Sequence, residues 1–167
     1  MTTRPGSTAT PAVFVPSEVH RPIGDAMRIA DVLRNKGADV VTVAPTATVA
    51  DLLGLLAERN VGALPVVDDG RLVGIVSERD VVRRLHAGGA AVLDAQVTDI
   101  MTSDVTTCAP EDDATALAGV MTQGRFRHLP VVVDGRLAGI VSIGDLVKTR
   151  IDMLEAEREQ LQSYIAS

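Results

Sequence analysis

The spacing of apolar residues along this chain changes several times, and each change predicts an element. Val49, Leu52, Leu53, Leu55 and Leu56 recur with helical spacing behind Pro45 and Thr48, so a helix is expected there, with Glu58 and Arg59 near its end. After Gly62 the pattern shortens to two apolar runs, Leu64 to Val67 and Leu72 to Val76, separated by Asp69-Gly70. Asp-Gly between such runs is a strong hairpin signal, because both central residues of the favoured two-residue turn need positive φ. A helix then starts near Ser77 and runs toward Leu85, and Gly88-Gly89 open a linker. Upstream, a short helix from Asp25 through Leu33 leads past Gly37 into the β-branched strand Val40 to Val43.

The same order then recurs, with a helix start at Val97 to Met101, a strand at Val105 to Thr107, a helix from Asp113 to Thr122 and a hairpin from Leu129 to Val141. The segment Leu64 to Asp80 returns as Leu129 to Asp145, offset by 65 residues and identical at 13 of 17 positions. The chain is therefore two copies of one β-α-β-β-α unit, each with a short leading helix, in the mixed α/β (α+β) class. A copy of about 60 residues buries too little surface to be stable alone, so the two are expected to share a core. The expected organisation is a tail at 1–24, unit 1 at 25–88, unit 2 at 89–150 and a helical extension at 151–167. The tail carries Pro5, Pro11, Pro16 and Pro22 without any periodicity. It reads as loose, or as an arm that docks through Val13, Phe14 and Val15.

The last helix continues from Ile143 through Ile165. Val147, Ile151, Leu154, Leu161 and Ile165 fall at alternating spacings of four and three, with Arg158 interrupting the series. That is a coiled-coil-like seam with one charged gap. It would cover a stripe on a partner subunit or on its own body, and a homodimer is the favoured reading.

Composition narrows the class. Apolar residues make up 46% of the chain but aromatic residues only 2%, which argues for an aliphatic core and against base-stacking platforms. A formal net charge of −6 opposes nucleic acid or an anionic membrane as the main partner. Neither a membrane-crossing apolar run nor a secretory signal is evident, so a soluble cytoplasmic protein is expected. The lone Cys108 permits no internal disulfide or cysteine metal cluster, and reads as a small buried hydrophobe near a strand end.

The duplicated polar residues are where chemistry could sit. Ser77 and Ser142 end each hairpin where a helix begins, and Asp80 and Asp145 follow three residues on. A helix N-terminus attracts phosphate or carboxylate, a Ser can donate to an anion, and an Asp can accept from a diol such as a ribose. Ser-x-x-Asp is equally a capping box, in which both residues only satisfy the helix end.

The Leu-Pro-Val strand, the Gly-Ile-Val-Ser-x-x-Asp turn and their duplication resemble tandem CBS domains, the Bateman module, over roughly Ile23 to Arg150. The resemblance implies a pseudo-twofold pair of units whose clefts hold adenosine derivatives such as AMP, ADP, ATP, S-adenosylmethionine or NAD(H). It further implies that Asp80 and Asp145 hold ribose hydroxyls and that Ser77 and Ser142 lie near the phosphates. By the same resemblance Thr42 and Thr107 border the base, and Val66 and Val131 line its pocket. The copies differ in their basic residues. Arg79 in the first turn has Gly144 as its counterpart in the second, and Arg127 and His128 precede the second Leu-Pro where the first copy has Gly62 and Ala63. Arg127 and His128 resemble phosphate ligands of the family, the alternative being a solvated arginine face and a histidine packed on the strand. Two clefts of unequal affinity follow, the tighter using Arg127, His128 and Arg79.

No nucleophile with a base, no metal-ligand spacing among His20, His86 and His128, and no GxGxxG or P-loop is present, so an enzyme is not expected. The expected function is a sensor that binds an adenine nucleotide, needs no cofactor and relays occupancy through dimer geometry. The alternative is a scaffold with empty clefts acting through its C-terminal helix.

Overall fold

The computed structural model describes residues 26–37 and 39–166. The tail, its Val13–Phe14–Val15 anchor, Asp25 and His20 lie outside the described residues. In chain order the elements are α1 (Ile29–Lys36), α2 (Val49–Arg59), β1 (Ala63–Asp68), β2 (Arg71–Ser77), α3 (Glu78–Gly88), α4 (Ala114–Gly124), β3 (His128–Val133), β4 (Arg136–Ser142) and α5 (Ile143–Ile165). Where a linker was expected after α3, the chain continues as a 3-10 segment over Gly89–Asp94. The second leading helix is a single 3-10 turn, Val97–Asp99.

Both predicted hairpins form. In the first, Ala63 lies opposite Ser77 and Asp68 opposite Arg71, around a turn in which Asp69 and Gly70 have φ of 47° and 77°. In the second, His128 lies opposite Ser142 and Val133 opposite Arg136, with Asp134 and Gly135 at 51° and 75°. Positive φ at both central residues is the conformation that twists with the strands, which is why Asp-Gly is used twice.

The predicted leading strands do not form. Val40 to Val43 contributes one parallel bridge, Val43 with Val66, and Val105 to Thr107 gives way to a bridge at Cys108 with Val131. Proline explains the limit. Val43 N–H donates to the Pro65 carbonyl at 3.1 Å and Val67 N–H to the Val43 carbonyl at 3.0 Å. The next rung on one side would need an N–H from Pro65, and on the other an N–H from Pro45, and neither residue has one. Pro110 and Pro130 stop the second bridge in the same way.

Contacts divide the described chain into two compact units, residues 41–106 and residues 26–40 with 107–166. In the first, Val49, Leu52, Leu64, Val66, Val76, Val81 and Val97 form a fully buried aliphatic core. Its leading element is the turn at Val97, whose N–H donates to the Ala47 carbonyl at 2.8 Å, while Val49 N–H donates to Ala95 at 2.9 Å. In the second unit Ile29, Val32, Met121, Leu129, Val131 and Val141 form the core. Here α1 takes the corresponding place, with Ile29 N–H donating to Asp112 at 3.0 Å and Ala114 N–H to Met27 at 2.9 Å. Each copy's leading segment thus completes the core built from the other copy's helices and hairpin.

Close backbone approach fixes each leading segment. A Cβ on Gly74 would come within 2.5 Å of Met101 Sδ and 3.0 Å of the Thr102 carbonyl oxygen. One on Gly139 would come within 2.6 Å of Leu33 Cδ2. Both glycines lie in the duplicated Gly-Ile-Val-Ser motif, and their conformation is ordinary, so only their missing side chain is required.

Candidate functional site

Each strand-to-helix turn is built by a reciprocal cap. In the first unit Ser77 N–H donates to Asp80 Oδ2 at 2.7 Å, Ser77 Oγ donates to the same oxygen at 2.8 Å, and Asp80 N–H reaches Ser77 Oγ at 3.4 Å. In the second, Ser142 N–H donates to Asp145 Oδ2 at 2.8 Å and Asp145 N–H donates to Ser142 Oγ at 3.1 Å. The first backbone donor of each helix is also taken, Glu78 N–H by the Gly62 carbonyl and Ile143 N–H by the Arg127 carbonyl, both at 3.0 Å. The capping box is therefore real in both copies. What it leaves is one acceptor per turn, a backbone donor in each, and in the second turn the Ser142 hydroxyl as a further donor. Among the described residues Oδ1 of Asp80 and of Asp145 accepts no protein hydrogen bond, and neither do the Arg79 and Gly144 N–H groups find an acceptor.

The remaining sequence candidates distribute along the same strands. Val66 and Val131 are fully buried in their unit cores, Thr42 is exposed beside the Val43 bridge, and Thr107 is buried beside the Cys108 bridge. From the Val66 bridge to Ala63, which faces Ser77, is three residues of strand, about 10 Å. That span is comparable to the length of a nucleoside. Arg79 is exposed in the first turn of α3. Arg127 is brought to the second turn through its carbonyl while its side chain is exposed, and His128 lies opposite Ser142, half-buried.

Sequence reasoning missed Lys36. At the end of α1, its Nζ lies 2.7 Å from Asp145 Oδ2 and donates to the Ile140 carbonyl at 2.9 Å. The stretch from Ile29 to Val43 is three residues longer than its counterpart from Val97 to Cys108, and Lys36 lies in this longer leader. The longer leader was the available signal, but the target of its ammonium was not readable. Burial alone would push the Asp145 carboxyl up. The hydrogen bonds from Lys36 and the Ser142 backbone, with the Lys36 charge, outweigh it and hold the group below the ordinary carboxylate range.

Cys108 is buried, its Sγ lies 3.7 Å from the Pro130 carbonyl, and burial together with the nearby Asp112 charge pushes its thiol up to about 12. A thiol so protonated is an inert packing group. Among the described residues no three His, Cys, Asp or Glu side chains gather as a metal site, and no helix is long and apolar enough to cross a membrane.

The CBS-domain family model matches residues 29–87 and again 97–152. The chain belongs to the CBS-domain family. Among CBS proteins it is 34% identical to the mitochondrial CBS domain-containing protein CBSX3 of Arabidopsis thaliana, over 84% of this chain and 73% of that one. It is similar to the crystal structure of the CBS-domain protein ATU1752 from Agrobacterium tumefaciens, with 45% identity, a TM-score of 0.72, and coverage of 74% of this chain and 99% of that one. It is also similar to the CBS domain pair of protein MJ0100, solved in complex with 5′-methylthioadenosine and S-adenosyl-L-methionine. There the identity is 26% and the TM-score 0.66, over 73% of this chain and 98% of that one.

Proposed function

We propose that this CBS protein is a non-catalytic regulatory module that binds an adenine nucleotide at its strand-to-helix turns and acts as a cytoplasmic homodimer. The observation that carries the reading is the unused Oδ1 of Asp80 and Asp145, an acceptor held in place by a cap that uses only the other oxygen. A ribose diol is the matching donor. The adenosine compounds bound by the MJ0100 domain pair support this choice of ligand class. The side chains of Val66 and Val131 are taken up by the unit cores, so only the backbone beside them would border the base. Arg79 in one copy and Arg127 with His128 in the other would meet the phosphates, so the two turns would differ most at their anionic ends.

A ligand shifts such a module only by binding two conformations with different affinity. The proposed relay therefore needs a nucleotide that stabilises the protein measurably. Thermal unfolding with AMP, ADP, ATP, NADH and S-adenosylmethionine tests this, since saturation at 100 times the dissociation constant stabilises by about 2.7 kcal/mol. A transition unmoved by all five would favour the second reading, a scaffold. The observation favouring that reading is that Ser77, Asp80, Ser142 and Asp145 are all accounted for as caps.

A further inference from the structure

Helix α5 carries two apolar stripes, and the body of its unit uses one of them. Leu146 and Thr149 are buried and Met153 packs on the core. Val147, Ile151, Leu154, Leu161 and Ile165 lie roughly 120° around the helix from that face, each between 46% and 87% exposed. The seam is thus not satisfied by its own unit. It runs for most of a helix of 23 residues, about 34 Å long.

We propose that this stripe pairs with the α5 stripe of a second copy of the chain, antiparallel and centred on Ala156. This deepens the homodimer part of the proposed function and does not depend on nucleotide binding. Arg158 decides the direction. The spacing makes Ile151, Arg158 and Ile165 one class of seam position and Val147, Leu154 and Leu161 the other. In a parallel pair like positions meet, so the two Arg158 side chains would be stacked against each other in the seam. In an antiparallel pair unlike positions meet, and each Arg158 lies across from Leu154 of the second copy. With the centre at Ala156 every seam residue finds a counterpart: Val147 opposite Ile165, Ile151 opposite Leu161, Leu154 opposite Arg158. Glu155 of the second copy then comes level with Arg158 to within one residue, about 1.5 Å along the axis, which neutralises the one charge in the seam. The only basic seam residue and an acidic flank thus complement each other across the twofold axis.

Sedimentation of the full chain and cysteine cross-linking test this. The wild type should sediment as a dimer, and Leu161→Glu, beyond the part of α5 that packs on the unit, should weaken dimerisation at least tenfold with an unchanged melting profile of the body. On oxidation Val147→Cys/Ile165→Cys should give covalent dimers while each single variant gives none, since like positions in the antiparallel pair are separated by about 27 Å. A monomeric wild type, or a dimer indifferent to Leu161→Glu, would overturn the pairing. Covalent dimers from either single variant would overturn its direction. Nucleotide binding by a monomer would leave the ligand reading standing while this inference fell.

Discussion

Lys36 Nζ lies 2.7 Å from Asp145 Oδ2, whereas among the described residues Asp80 has no cationic partner. The duplicated turns are therefore chemically unequal although their motifs match. Asp145 is depressed in the folded chain, so the unfolded chain binds its proton at higher pH. The stability it contributes is present above the ordinary aspartate value of about 4 and is lost as pH falls through the lower folded value. Acid unfolding of Lys36→Met and Asp145→Asn should each show a flatter loss of stability below pH about 4 than the wild type. An unchanged acid limb in both would remove the pair as a contributor.

The same pair bears on ligand binding. A diol reaching Asp145 must compete with an ammonium for the carboxylate, and a half-exposed ion pair of this kind is worth up to about 1 kcal/mol. Lys36→Met should therefore tighten AMP binding at the second turn by several-fold and leave the first turn unchanged, as read by calorimetric titration. Weaker binding would mean that Lys36 holds the nucleotide instead.

Gly74 is predicted to be intolerant of a side chain, and Gly139 less strictly so. Gly139→Ala would drive a methyl into Leu33, and Gly74→Ala would drive one into Met101 and the Thr102 backbone. Gly74→Ala should cost about 1–3 kcal/mol in denaturant unfolding, and Gly139→Ala less, because the end of Leu33 can turn aside. Leu33→Ala combined with Gly139→Ala should recover part of the second loss, because a flexible side chain is the obstacle there. The Gly74 loss should resist the matching change at Met101, because a carbonyl also stands in the way.

Cys108 should be silent toward thiol reagents in the native protein at pH 8 and react once it is unfolded. With its folded value raised to about 12, stability is full below the unfolded thiol value of about 8.5 and declines as pH rises toward 12. Rapid native labelling would contradict the buried, desolvated site.

Much of this fold was legible in local chemistry. Asp69-Gly70 announced the first hairpin and the repeat the second, Thr48, Ser77 and Asp113 announced helix starts, and the long apolar spacing from Ile143 to Ile165 matches α5. The leading strands stop at single bridges in spite of their β-branched composition, because Pro45, Pro65, Pro110 and Pro130 have no N–H to give the next rung. Which core a leading segment joins was not legible, since Leu33 and Met101 suit either glycine by type. In the candidate site the Ser and Asp pairs were readable as caps, whereas Lys36 acts across 109 residues of sequence and no local pattern exposes such a contact.

Ribose recognition in the proposed function rests on the two free carboxylate oxygens. Calorimetric titration of AMP into the wild type and into Asp80→Asn/Asp145→Asn tests it most directly, because the asparagines retain an oxygen for the cap but lose the charged acceptor. Binding by the wild type that falls at least tenfold in the double variant, with its melting temperature lowered no further than in Lys36→Met, is the predicted result. Equal AMP affinity in the two proteins would contradict the assignment of these carboxylates to a ribose.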